Sequence, residues 1–278
     1  MKIVSSGKVL HSSKFHKKKK RKKIAILIFL FLGLSSVIYG LIYFLREDRF
    51  QVLEVSVLGE NVIDRDEMIT LTSELLTGFY LWVVPRSNFL VYPRRTIERA
   101  LMEKFPRLSS AKLNLKERTL YIGVEERLPY ALYCREATLS LETGKCYFLD
   151  EEGLIFALAP SFSGDTYLIY ATEEPLAEPL GKRLVDVEEF KALSSFIADL
   201  ESLNIESRAL ELRENEYSLL ISSGGKIIWQ KENPLALIQS NLEAFLSNDS
   251  IRAQEDFLER ILYLNLSSEN KVFYKFRY

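Results

Sequence analysis

The sequence predicts an α+β protein: a single apolar helix, a small unit ordered β-α-α-β-β, and a strand-rich region carrying two helices. Three observations predict it. Residues 24–45 form one uncharged apolar run directly behind an unbroken basic block, Lys17 to Lys23. Between residues 50 and 126, alternating apolar patterns interleave with apolar residues at helical spacing. Beyond residue 130, short strand-like runs dominate, interrupted by two helical stripes.

The apolar run comes first. At ~1.5 Å rise per residue, 22 helical residues reach ~33 Å, enough for a hydrocarbon core of ~30 Å. A signal peptide would have a shorter apolar core and a small-residue cleavage site, and Tyr39-Gly40-Leu41-Ile42-Tyr43-Phe44 offers none. A buried core helix would carry a polar face, and this run has none. An uncleaved signal-anchor is the expectation. The first 45 residues hold ten Lys or Arg and no Asp or Glu, so the N-terminus is expected in the cytoplasm and the rest outside.

This topology splits the composition. The formal net charge of −1 averages two compartments: the remaining 27 Lys or Arg face 38 Asp or Glu, so the exterior carries −11. An acidic exterior argues against nucleic-acid binding, and the basic tail beside a span reads as a topology determinant that also contacts anionic lipid. Both histidines, His11 and His16, lie in the tail. The exterior therefore lacks the usual general base and the usual zinc ligand. No catalytic residue, cofactor or metal site is expected. The two cysteines, Cys134 and Cys146, sit in strand-like runs separated by a polar stretch containing Glu142-Thr143-Gly144. Outside the membrane they are expected to form a disulfide; two buried thiols are the alternative.

The elements follow in order. Phe50 to Gly59 alternates in part and ends on glycine, as a strand does. Asp64 and Glu67 make a capping box before a helix whose buried stripe is Met68, Ile69, Leu71, Leu75 and Leu76. Phe79 to Pro85 reads as apolar and extended. A second helix starts near Pro93, carries Ile97, Ala100, Leu101 and Phe105, and stops before Pro106. Strands over 108–115 and 119–126 close the unit. Further on, 146–149 and 154–156 flank an acidic glycine turn, a helix is expected over 187–203, and Asn233-Pro234 opens another as cap and first-turn proline. Strands over 261–266 and 271–276 form the last hairpin.

Gly59 and Asn61 before a capped helix, Phe105-Pro106-Arg107, then Thr119 through Glu126-Arg127-Leu128-Pro129, together resemble the POTRA domain and its exit in the FtsQ/DivIB cell-division family. Asp150-Glu151-Glu152-Gly153 is similar to that family's Asp-x-x-Gly hairpin, and the last hairpin resembles its closing one. The penultimate strand departs from the family: Asn265-Leu266-Ser267 stands where Asp-Leu-Arg is common. The resemblance implies a basic cytoplasmic tail (1–23), a transmembrane helix (24–45), a POTRA-like domain (46–129) and a C-terminal β-rich domain (130–278).

It further implies a non-enzymatic divisome scaffold in the cell membrane, concentrated at the division septum. Such a scaffold binds FtsB/DivIC-like and FtsL-like partners and helps control septal peptidoglycan synthesis. The expected mechanism is strand addition on the last strand, with Phe273, Tyr274 and Phe276 as anchors and Val272 and Lys275 as secondary contacts. The opposing expectation has Phe273 facing the core and Tyr274 merely covering the sheet. The competing function is a membrane-anchored glycan hydrolase using two carboxylates, for which Glu125-Glu126 and Asp150-Glu151-Glu152 supply candidates. A POTRA-bearing secretion component is a third reading, and it would call for repeated POTRA units or a barrel.

Overall fold

The computed structural model describes residues 13–135, 145–160, 166–252, 256–268 and 271–277. It is mixed α+β, with an N-terminal apolar helix and a strand-rich remainder. The chain divides into two compact units, residues 1–58, 64–98 and 112–123 in one and 59–63, 99–111 and 124–278 in the other.

In the first unit, α1 spans Ser13–Leu45, so the helix begins ahead of the apolar run and takes in the basic block. Its stretch Lys20–Leu45 is long and apolar enough to cross a membrane, and none of that stretch is buried. A single 3-10 turn, Asp48–Phe50, leads to β1, Glu54–Leu58. Asn88 ties this exit down. Its side-chain amide donates to the Leu45 carbonyl at 2.7 Å, and the residue is fully buried. That bond gives one of the helix's last carbonyls a partner.

Asp64 caps α2, Arg65–Leu76, by accepting the Asp66 N–H at 2.8 Å. The buried face of α2 is Met68, Thr72 and Leu76; Ile69, Leu71 and Leu75 are only half-buried, so Thr72 takes a place the apolar pattern assigned to leucine. The run from Phe79 to Pro85 corrects the expectation of one extended segment. It folds back as a two-residue hairpin, β2 (Phe79–Tyr80) against β3 (Val84–Pro85), with its tip exposed. Next come α3 (Arg94–Lys104), β4 (Leu108–Lys116) and β5 (Thr119–Glu126). These last three run through both units. The sheet order is β1-β5-β4, with β1 parallel to β5 and Val57 opposite Ile122. Val57, Met68, Ile97, Leu120 and Ile122 are all fully buried, which makes them core rather than a ligand groove.

The second unit holds one nine-stranded sheet. Its strands are β6 (Ala131–Cys134), β7 (Cys146–Leu149), β8 (Ile155–Leu158), β9 (Ile169–Thr172), β10 (Ser207–Leu212), β11 (Glu216–Ile221), β12 (Lys226–Gln230), β13 (Ile261–Ser268) and β14 (Lys271–Phe276). The spatial order is β14-β13-β12-β11-β10-β9-β6-β7-β8. Helix α4 (Val187–Glu201) connects the parallel pair β9–β10. Helix α5 (Leu235–Leu246) and two single-turn helices, α6 (Asp249–Arg252) and α7 (Phe257–Arg260), connect the parallel pair β12–β13. Phe190, Leu193, Phe196 and Leu200 from α4 and Ile238 and Leu242 from α5 share one core with Tyr133, Tyr170, Trp229 and Leu264 of the sheet. A smaller cluster of Leu132, Cys134, Cys146, Phe148, Phe156 and Ile169 is separate from it. Neighbours such as Leu132 and Tyr133 fall in different clusters because successive strand side chains point to opposite faces.

Cys134 and Cys146 are register partners on β6 and β7 and are joined by a disulfide. The polar stretch with Glu142-Thr143-Gly144 lies outside the described residues. The start of α5 differs from expectation: Pro234 is the cap and Leu235 the first helical residue. Asn233 does not cap, because its amide donates to the Ser267 carbonyl at 3.0 Å.

Candidate partner-binding edge strand

Strand β14 is the last strand of the large sheet, and among the described residues no further strand pairs with it. It is held on one side only, antiparallel to β13, with Leu264 opposite Tyr274 and Asn265 opposite Phe273. Alternate backbone N–H and C=O groups of such a strand point outward, where another chain can pair with them. The opposite end of the sheet is less open. There the edge of β8 is bonded by the 181–183 segment: the Ile155 N–H donates to Lys182 O at 2.9 Å and the Gly181 N–H to Ile155 O at 2.7 Å.

The two faces of β14 differ. Val272 and Phe276 are half-buried and pack against the main core. Tyr274 joins a ring cluster on that face, 5.3 Å from Phe245 and 5.5 Å from Phe276, while Phe257 stands 5.4 Å from Phe276. Phe273 lies on the other face, 53% exposed, with Lys275. The expectation that Phe273 faces the core therefore does not hold. The residues divide into a supporting set, Val272, Tyr274 and Phe276, and an outward pair, Phe273 and Lys275. Phe257 was not legible in advance: it sits in a four-residue helix behind Asp256, whose φ is 59°, so no helical spacing announces it.

Of the carboxylates put forward for hydrolysis, Glu125, Glu126, Asp150 and Glu152 are bonded to neighbouring groups. Glu126 Oε1 accepts the N–H groups of Asn61, Val62 and Ile63 at 2.7, 2.9 and 3.2 Å, and its Oε2 accepts from Arg107 Nε at 3.0 Å. Burial pushes this carboxyl upward, but the three backbone donors and Arg107 outweigh burial and hold it below the ordinary carboxylate range. Asp150 accepts the N–H groups of Glu152 and Leu154, both at 2.9 Å, and pairs with Arg127. Glu125 accepts from the Ser110 hydroxyl at 2.9 Å, and Glu152 pairs with Arg183 at 3.0 Å.

These bonds also explain why scattered short motifs belong together. Arg107 reaches Glu126, Arg127 donates from its backbone to Arg107 O at 2.8 Å, and the Arg127 guanidinium donates to Pro106 O at 3.2 Å. Asn61, Pro106-Arg107, Glu126-Arg127 and Asp150 thus form one charge-assisted staple. Gly59 belongs to the same place. It adopts φ 94°, and a Cβ there would lie 2.3 Å from the Val124 carbonyl oxygen. Among the described residues, no group of three or more His, Cys, Asp or Glu is placed to hold a metal ion. Comparison with models of protein families and with curated proteins finds no match to this chain.

Proposed function

We propose that this chain is a non-enzymatic, bitopic membrane scaffold of FtsQ/DivIB type, whose last strand takes up an extended partner segment. The observation that carries the proposal is the edge position of β14: among the described residues no strand pairs with its outer side, and Phe273 is exposed on it. Main-chain bonds would supply affinity, and the alternating side chains would supply the choice of partner. Lys271, Lys275 and Arg277 make this edge basic within an acidic exterior, which suits a partner segment bearing carboxylates. The order β1-α2-α3-β4-β5, in a sheet ordered β1-β5-β4, supports a POTRA reading, with the β2–β3 hairpin inserted between the helices. The helix Lys20–Leu45 supports the single-pass topology, and FtsB/DivIC-like and FtsL-like proteins are the proposed partners at the septum.

The structure refines the choice of test residues. Truncating Phe276 would disturb the core it packs on, whereas Phe273→Ala removes an outward ring alone. A buried aromatic anchor at an interface contributes about 2 kcal/mol or more, so Phe273→Ala should weaken binding of an FtsB/DivIC-like segment roughly 30-fold. Calorimetric titration together with a thermal melt checks this. Unchanged affinity at unchanged stability would sink the strand-addition site, and diffuse membrane fluorescence of a fusion in dividing cells would count against the divisome role.

A further inference from the structure

The β2–β3 hairpin presents an arrangement that folding alone does not explain. Its two turn residues, Leu81 and Trp82, have φ of 47° and 65°, and the Val83 N–H donates to Tyr80 O at 2.9 Å. Two-residue hairpins of this geometry favour Asn-Gly, because both turn positions need positive φ. Leu and Trp adopt it at a conformational cost, because their Cβ atoms are crowded by the backbone in the left-handed region. That cost is not recovered by burial. Leu81 is 89% and Trp82 92% exposed, more than any large apolar side chain in the described part of α1.

The location supplies the reason. Arg46, the first residue past the last helical residue of α1, donates from Nε to Val83 O at 2.8 Å and from its terminal guanidinium nitrogen to Trp82 O at 3.2 Å. The same guanidinium stands 5.7 Å from the centre of the Phe79 ring, and Arg86 stands 5.6 Å from that of Tyr80. The tip is therefore within one arginine side chain of the point where the apolar helix ends. Trp at that depth, flanked by arginines, has the composition of the bilayer–water interface.

We propose that Leu81 and Trp82 insert into the interfacial layer of the membrane crossed by α1, so that the hairpin is a second, shallow membrane anchor. This rests on the reading that α1 spans the bilayer. Two attachments rather than one would stop the first unit from swivelling freely about the Leu45 exit.

The test uses the full chain in phosphatidylcholine vesicles with and without brominated acyl chains. The chain contains only two tryptophans, and Trp229 is fully buried. The double variant Leu81→Asn/Trp82→Gly restores the favoured turn residues, so it keeps the hairpin while removing the apolar tip. The emission difference between the two proteins is that of Trp82. It should lose most of its intensity in brominated vesicles and resist aqueous acrylamide, while the variant's remaining emission is the same in both lipids. If Trp82 is quenched by acrylamide and not by bromine while the protein resists alkaline carbonate extraction, the span stands and the anchor is refuted. Quenching by neither means that protein covers the tip, which also overturns the proposal. Release of the chain by carbonate would instead overturn the span, and the anchor with it.

Discussion

Glu126 shows how much a single side chain can organise: one carboxylate supplies acceptors to three consecutive N–H groups and an arginine. Its acidity sets a sign. A carboxyl held below its ordinary value of 4.5 adds stability that is complete above that pH and is lost as pH falls through the lowered value. Glu126→Gln keeps one acceptor but removes the charge opposite Arg107. It should cost about 2 kcal/mol at neutral pH, the worth of a charge-assisted bond. Below about pH 4 the gap should narrow, as the wild-type carboxyl protonates. Urea melts of both proteins at neutral and acid pH check this. A gap of the same size at both would show that packing, not charge, carries the effect. Asp150 repeats the device, accepting two backbone N–H groups and pairing with Arg127.

At the scale of elements, β6 and β7 meet as neighbours inside the nine-stranded sheet, with β8 alone beyond β7 among the described residues, and Cys134 stands opposite Cys146. The bridge closes a loop with a sequence separation of 12. Closing a loop of that size restricts the unfolded chain by about 3 kcal/mol in the chain-entropy model. Cys134→Ser/Cys146→Ser should therefore lower stability by about that amount while leaving the β6–β7 pairing intact, as urea melts and circular dichroism will show. Unaltered midpoints would mean that the bridge adds nothing the strand pairing has not already supplied. Strand β14, by contrast, pairs among the described strands with β13 alone, and its Tyr274 and Phe276 rings pack on Phe245 and Phe257. That support lets an edge strand stay ordered while its outer side remains open to a partner.

For the molecule as a whole, the charge division follows from one helix. Ten cations without a carboxylate precede the end of α1, and an excess of eleven carboxylates follows it. By the positive-inside rule, we propose that the chain lies with residues 46–278 outside the cytoplasm. Protease added to intact spheroplasts should digest that region and spare an epitope fused to the N-terminus. Protection of the region with loss of the epitope would reverse the topology. With this orientation, the hairpin tip and the sheet edge would both lie outside the cytoplasm, as the proposals of a lipid contact and of a partner segment each require.

Local chemistry made much of this legible in the sequence. Uncharged length marked the apolar helix, Asp64 marked the start of α2, and alternation marked β5 at Thr119–Glu126 and β14 at Lys271–Phe276 to the residue. Each of these depends on a pattern within one element. What failed locally depended on distant partners: Asn233 was drawn from its cap by Ser267, and Thr72 displaced leucines on the buried face of α2. The apolar run Phe79–Pro85 reads as extended because Leu81 and Trp82 carry none of the Asn or Gly chemistry that marks a tight turn, yet the chain folds back there. The candidate site divides the same way. The sequence by itself determined that β14 is an aromatic, basic strand and that residues 46–278 contain no histidine. Only the tertiary structure decided that β14 lies at an edge and that Phe273 points outward while Phe276 points in. Strand order and face are set by which chains pair and what packs beneath them, and a strand's own residues carry no record of either.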